Sequence, residues 1–197
     1  MSITPRLNRL FAPDGKCFDV AVDHGFFGER SFLTDIEDMH HVVSILVGAA
    51  PDAIQLSIGQ ANILQSIPGK HKPALVLRTD VANVYGKSLP DYIYSLTISD
   101  PVEQAVRLDA ACVVVNLFNL PGQPDVYAQC IENICALKPE CERYGMPLMV
   151  EPALWGEGAS ESDSALIAHA CRMGVEIGAD ILKIPPPTDP AVLSAIV

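Results

Sequence analysis

Gly178-Ala179-Asp180-Ile181-Leu182-Lys183-Ile184 is a short apolar run behind a glycine turn, and a lysine stands near its end. The run reads as a strand of a sheet buried on both faces, where side chains are normally aliphatic. A lysine in that position loses much of its water, and burial disfavours its charged form. A desolvated amine can attack a carbonyl and form a Schiff base. The plainer reading packs the aliphatic stem and lets the ammonium reach solvent. What the other strands place beside Lys183 decides between the two.

Working outward, strand-like runs alternate with helix-like runs. The strand candidates are Phe18–Asp23, Ala53–Ser57, Ala74–Thr79, Cys112–Phe118, Pro147–Glu151 and Asp180–Ile184. Helical stretches are expected near 31–48, 59–66, 100–110, 125–144 and 161–178. The Ser160-Glu161-Ser162-Asp163 cluster caps the last of these, and Gly48-Ala49 and Gly178-Ala179 supply C-terminal stops. A further helix is expected from Thr188-Asp189-Pro190, with Asp189 as N-cap. Nothing resembling a linker divides residues 1–197, which read as one domain.

Repeated βα units with near-continuous aliphatic strands predict a parallel sheet covered by helices. An open doubly wound sheet and a (β/α)8 TIM barrel both fit. After the first strand stands Asp23-His24-Gly25-Phe26-Phe27-Gly28, which is not the glycine fingerprint of a dinucleotide site. Polar residues gather instead at strand C-terminal ends, where barrel enzymes keep their chemistry. Strand alternation puts Lys183 on the face of Ile181, Asp23 on that of Ala21, and Gln55 with Ser57. Arg78 ends the third strand, Asn116 lies in the fourth and Glu151 ends the fifth. If these faces all point inward, one mouth collects a lysine, an arginine, two carboxylates and two amides. Taken singly, Asp23 reads as a cap, Arg78 with Asp80 as an ion pair, and Gln55 and Asn116 as satisfied core polars.

The 197 residues are 49% hydrophobic, enough for an ordinary core, and carry a net charge of −11. That charge argues against nucleic acid and anionic membrane as bulk partners. It leaves room for a phosphorylated small molecule. No run approaches a membrane span and Met1–Arg6 holds no secretion signal. The six cysteines form no CxxC pair and read as reduced thiols of a cytoplasmic protein. His40 and His41, the adjacent histidines, point to different sides of a helix, so zinc is not expected.

Four segments together resemble the Schiff-base class I aldolases of the DeoC/LacD/DhnA superfamily, including archaeal-type fructose-bisphosphate and tagatose-bisphosphate aldolases. They are Arg6-Leu7-x-Arg9-Leu10-Phe11 with Asp14-Gly15-Lys16, Val20-Ala21-Val22-Asp23-His24-Gly25, Pro147-Leu148-Met149-Val150-Glu151, and Gly178 through Lys183. The resemblance implies a (β/α)8 barrel, a Schiff base on Lys183, assistance from Asp23, no metal or other cofactor, and a homo-oligomer. It implies reversible cleavage of a small phosphorylated sugar or ketone. The base is then Glu151 or Asp23, ahead of His24, and His24, Gln55, Arg78, Asn116 and Trp155 are candidate substrate contacts, with Trp155 as an apolar wall and Arg30 a further orienting cation. Six strands are counted where a barrel needs eight, so the last two βα units, which often hold phosphate, are expected to be missing. Two departures stand out. Ala153 occupies the place of the family's proton-transfer tyrosine, and Pro185-Pro186-Pro187 offers no N–H groups to phosphate. Alternatives are a lysine-dependent acyltransferase or transaldolase of the same family, a phosphosugar isomerase or decarboxylase, and a non-catalytic barrel.

Overall fold

The computed structural model describes residues 1–86, 89–154, 162–189 and 191–192. Helix α1 (Thr4–Leu10) precedes β1 (Asp19–Ala21). Two 3-10 turns (His24–Phe27 and Arg30–Leu33) follow, then α2 (Met39–Ala49), β2 (Ala53–Ser57), α3 (Ala61–Gln65) and β3 (Ala74–Arg78). A hairpin of β4 (Asp80–Ala82) and β5 (Ser95–Thr97) leads to α4 (Pro101–Arg107) and β6 (Cys112–Asn119). The described elements end with α5 (Pro124–Tyr144), β7 (Leu148–Leu154), α6 (Ser164–Glu176) and β8 (Ile181–Leu182).

One six-stranded sheet runs β1-β2-β3-β6-β7-β8, every neighbour parallel. Its spatial order is its sequence order. A doubly wound sheet would reverse direction at a switch point; an unbroken progression of βα units is the order of a (β/α)8 barrel. These six strands are therefore an arc of such a barrel.

Strand alternation splits the apolar residues into two cores, as the parity argument requires. Ile54, Leu56, Leu75, Leu77, Val113, Val115, Leu117, Leu148 and Val150 point outward and pack with helix residues such as Val43, Leu64, Val102 and Ile134. Ala53, Ala74, Val76, Cys112, Val114 and Met149 point inward, and Leu10 of α1 joins them. Helix α1 is anchored there by Arg9 to Asp109 at 2.8 Å and by Arg6 to the Ala110 carbonyl, both just before β6. It thus closes the N-terminal end of the barrel interior, leaving the C-terminal ends of the strands for the site.

The helix starts differ from expectation where capping chemistry intervenes. Asp38 accepts from the N–H groups of His40 and His41, so α2 starts at residue 39 and the expected 31–38 stretch forms a 3-10 turn and loop instead. Ala50, not Gly48, takes the left-handed conformation after α2, at φ 53°. Asp163 caps α6 as expected and Gly178 supplies the turn after it at φ 98°. Asp189 accepts from Ala191 N at 2.9 Å, but the helix expected beyond it lies outside the described residues. The β4–β5 hairpin was not expected; it continues the chain beyond Thr79 and carries Asp80.

Candidate active site

Lys183 follows the last ladder residue of β8, and its N–H still reaches the Val150 carbonyl at 3.0 Å. That bond sets Lys183 beside Glu151, and the two side chains pair at 3.1 Å. The Nζ also donates to Gln55 Oε1 at 3.1 Å. Gln55 turns its other end, Nε2, to Asp23 Oδ2 at 2.8 Å. The amide therefore relays a fixed orientation between lysine and aspartate.

Arg78 organises the rest. Its Nε donates to Asp23 Oδ2 at 2.7 Å, its Nη1 to Asp80 Oδ1 at 3.3 Å, and its Nη2 to Glu151 Oε2. The guanidinium is 1% exposed, and its five-donor fork is what such a site demands. Asn116 supports Asp80 through Nδ2 at 2.8 Å and its own N–H at 3.1 Å.

Burial works against the Arg78 charge, but Asp23, Asp80 and Glu151 outweigh it and hold the group firmly protonated. For Asp23, burial raises the pKa, yet Arg78, the Gln55 hydrogen bond and Lys183 together leave it below the usual carboxylate range. Asp80 is held above that range by burial despite Arg78 and Asn116. One arginine thus leaves two buried carboxylates in opposite directions.

One cavity of about 290 Å³ collects Asp23, His24, Gln55, Arg78, Asn116, Glu151 and Lys183. Seven of the nine residues singled out in the sequence therefore meet; Arg30 lines a separate pocket with Ser31, Leu33, Thr34 and Glu37, and Trp155 lies outside the described residues. The expected deep burial of Lys183 is not found: its side chain is 32% exposed, because Glu151 and Gln55 hold it toward the open side of the cavity. Ala153 pairs with Phe118 across β6 and β7 and brings no titratable group. Among the described residues no three His, Cys, Asp or Glu side chains stand together as a metal site, and no helix is long and apolar enough to cross a membrane. All six cysteines are free.

Phe27, Phe32 and Tyr85 line the same cavity and were not anticipated. Neither was Asp19, which shares the inward face of β1 with Ala21 and Asp23. Both its carboxylate oxygens are buried without a hydrogen-bond partner among the described residues. Burial pushes its pKa up to about 6; Lys183 and Arg78 oppose the shift while Asp23 and Glu151 add to it. A carboxyl raised from 3.8 to about 6 on folding binds its proton more tightly in the folded state. Its ionisation then weakens the fold progressively as pH rises from about 4 to above 6, by about 3 kcal/mol in all. Asp19→Asn, which cannot ionise, should be about 3 kcal/mol more stable than wild type at pH 8. The gap should shrink below about 1 kcal/mol at pH 4. Urea unfolding of both proteins across that range checks this; a pH-independent difference would refute it.

The family model for "DeoC/LacD family aldolase" matches residues 17–195. The chain belongs to the DeoC/LacD aldolase family. Among its relatives is an uncharacterized aldolase of Saccharolobus solfataricus, 30% identical over 183 residues, covering 91% of this chain and 66% of that protein. A 3-hydroxy-5-phosphonooxypentane-2,4-dione thiolase of Yersinia pestis is 31% identical over 181 residues, covering 90% of this chain and 57% of that one. The chain thus spans less than two thirds of the length of these relatives. Among solved structures, an archaeal fructose 1,6-bisphosphate aldolase superposes with a TM-score of 0.72 at 25% identity, covering 100% of this chain and 75% of its own. Family and fold agree with the barrel arc.

Proposed function

We propose that this DeoC/LacD family chain is a metal-independent class I aldolase that reversibly cleaves a ketose phosphate or related short ketose through an imine on Lys183. The supporting observation is the 3.1 Å pairing of Lys183 with Glu151 inside a cavity that also holds Asp23. A proton passes from Nζ to Glu151, and the free amine adds to the substrate ketone. The carbinolamine loses water, taking a proton back from Glu151, and becomes an iminium ion. Glu151 then removes the proton of the hydroxyl next to the scissile bond. That C–C bond breaks, its electrons move into the iminium as an enamine, and an aldehyde leaves. Protonation of the enamine and hydrolysis return the ketone and the amine. Asp23, ionised and locked by Arg78 and Gln55, stabilises the cationic imine; Glu151 carries protons because it keeps 25% of its side chain exposed.

Substrate hydroxyls have His24 and Asn116 within the same cavity. The free thiols suit a reducing compartment such as the cytoplasm, and a homo-oligomer accords with the family reading. A second reading, lysine-dependent acyl transfer, is favoured by the Yersinia pestis thiolase similarity and by Ala153. Incubation with ketose phosphates and dihydroxyacetone phosphate, followed by borohydride and peptide mapping, tests the proposal. A stable adduct on Lys183 with release of an aldehyde is expected. If a phosphorylated 2,4-diketone and a thiol acceptor, added without borohydride, gave a thioester with release of the remaining ketone, the assignment would move to the second reading, and no adduct with any ketone would refute both.

A further inference from the structure

The Lys183 cavity has an aromatic side that the chemistry above leaves unused. Phe27, Phe32 and Tyr85 line it, and the same three rings line a wider groove of about 760 Å³ continuing outward past Gly28, Ser31, Asn83 and Pro90. The rings brace one another edge to face, Phe27–Tyr85 at 5.0 Å and Phe32–Tyr85 at 5.1 Å between centroids. A wall of mutually supported rings is preorganised for a flat apolar group.

We propose that this groove binds the aldehyde half of the substrate, and that this half carries an uncharged apolar or aromatic group, not a phosphate. The inference rests on the aldolase reading and names its acceptor class. Charge is the first argument. Among the described residues lining cavity and groove, the cations are Arg78 and Lys183, and Arg78 already serves three carboxylates. The groove itself contributes Glu29, whose carboxylate accepts from Ser31 N and Oγ at 2.9 and 2.6 Å and so is fixed in place. A phosphate there would meet the Glu29 carboxylate. The cavity also offers a polar handle. Among the described residues His24 Nδ1 is buried without a hydrogen-bond partner, and its ring meets Phe32 at 5.9 Å. It can bond the one oxygen an apolar aldehyde possesses. In the synthetic direction the enamine carbon on Lys183 bonds the aldehyde carbon, and the aldehyde oxygen takes a proton from Glu151.

The test reads binding apart from turnover. Fluorine NMR of 4-fluorobenzyl alcohol, a stand-in for the aldehyde half, should show saturable binding to the wild-type chain. Phe32→Ala should raise its Kd roughly tenfold, Phe32→Leu should raise it less, and both variants are checked by thermal melting. Glyceraldehyde 3-phosphate at equal concentration should not displace the probe. Absence of saturable binding, or indifference to both Phe32 variants, overturns the proposal. So does displacement of the probe by glyceraldehyde 3-phosphate. Borohydride trapping on Lys183 reports separately on the imine, so the subsite and the aldolase reading fail independently.

Discussion

Arg78→Met is expected to lose about 3–5 kcal/mol of folding stability at neutral pH, the usual consequence of removing one partner from a buried ionic network. Methionine fills much of the arginine's volume, so the loss measures charge and hydrogen bonding more than a cavity. Asp23 and Asp80 are 2% and 0% exposed at their side chains, and among the described residues neither has another cation in hydrogen-bond contact. With Arg78 gone, both must protonate or remain charged without compensation. In the wild type, Asp23's lowered pKa contributes stability that is present above its unfolded value and lost as pH falls through its folded value. In the variant the sign inverts: Asp23 is raised by burial, so acid restores stability. Urea unfolding at pH 7.5 and pH 5 should therefore show the variant closer to wild type at pH 5. A loss below about 1 kcal/mol at neutral pH would mean the network is solvated, against the burial seen here.

The same residues show how far the sequence could be read. The alternation of β2, β3, β6 and β7 is enough to sort inward from outward side chains, because a parallel strand buried on both sides leaves polar residues few places to stand. Gln55, Arg78, Asn116 and Glu151 were legible for that reason. Asp19 was legible by the same rule, two steps back from Ala21, but an acid at the start of a strand resembles a loop residue until the interior is known to close over it. Asp80 lay beyond an expected strand end; only the β4–β5 hairpin turns it back toward Asn116. The aromatic wall comes from two 3-10 turns and the stretch after β4, segments with no periodicity to read. Helix α1 has seven residues, and its anchoring by Arg6 and Arg9 is a tertiary fact with no local signature. Lys183 was found by its position, whereas its exposure depended on partners contributed from β2 and β7.

On the proposed imine mechanism, Lys183→Met should reduce aldol cleavage by roughly a thousandfold or more, since the amine would supply the covalent intermediate and no other described residue lining the cavity carries an amine. The fold should survive. Glu151 keeps its bond to Arg78, Gln55 keeps its bond to Asp23, and the partly exposed lysine pair is worth about 1 kcal/mol at most. Stability and turnover therefore separate at this residue. Lys183→Arg sharpens the point. It retains a cation beside Glu151 but offers no nucleophilic amine, so it should be as inactive as the methionine variant and form no borohydride adduct. If the arginine variant retained more than about a tenth of wild-type turnover, the cation alone would suffice. The cavity would then work by proton transfer beside a fixed positive charge, and the imine would have no part in it.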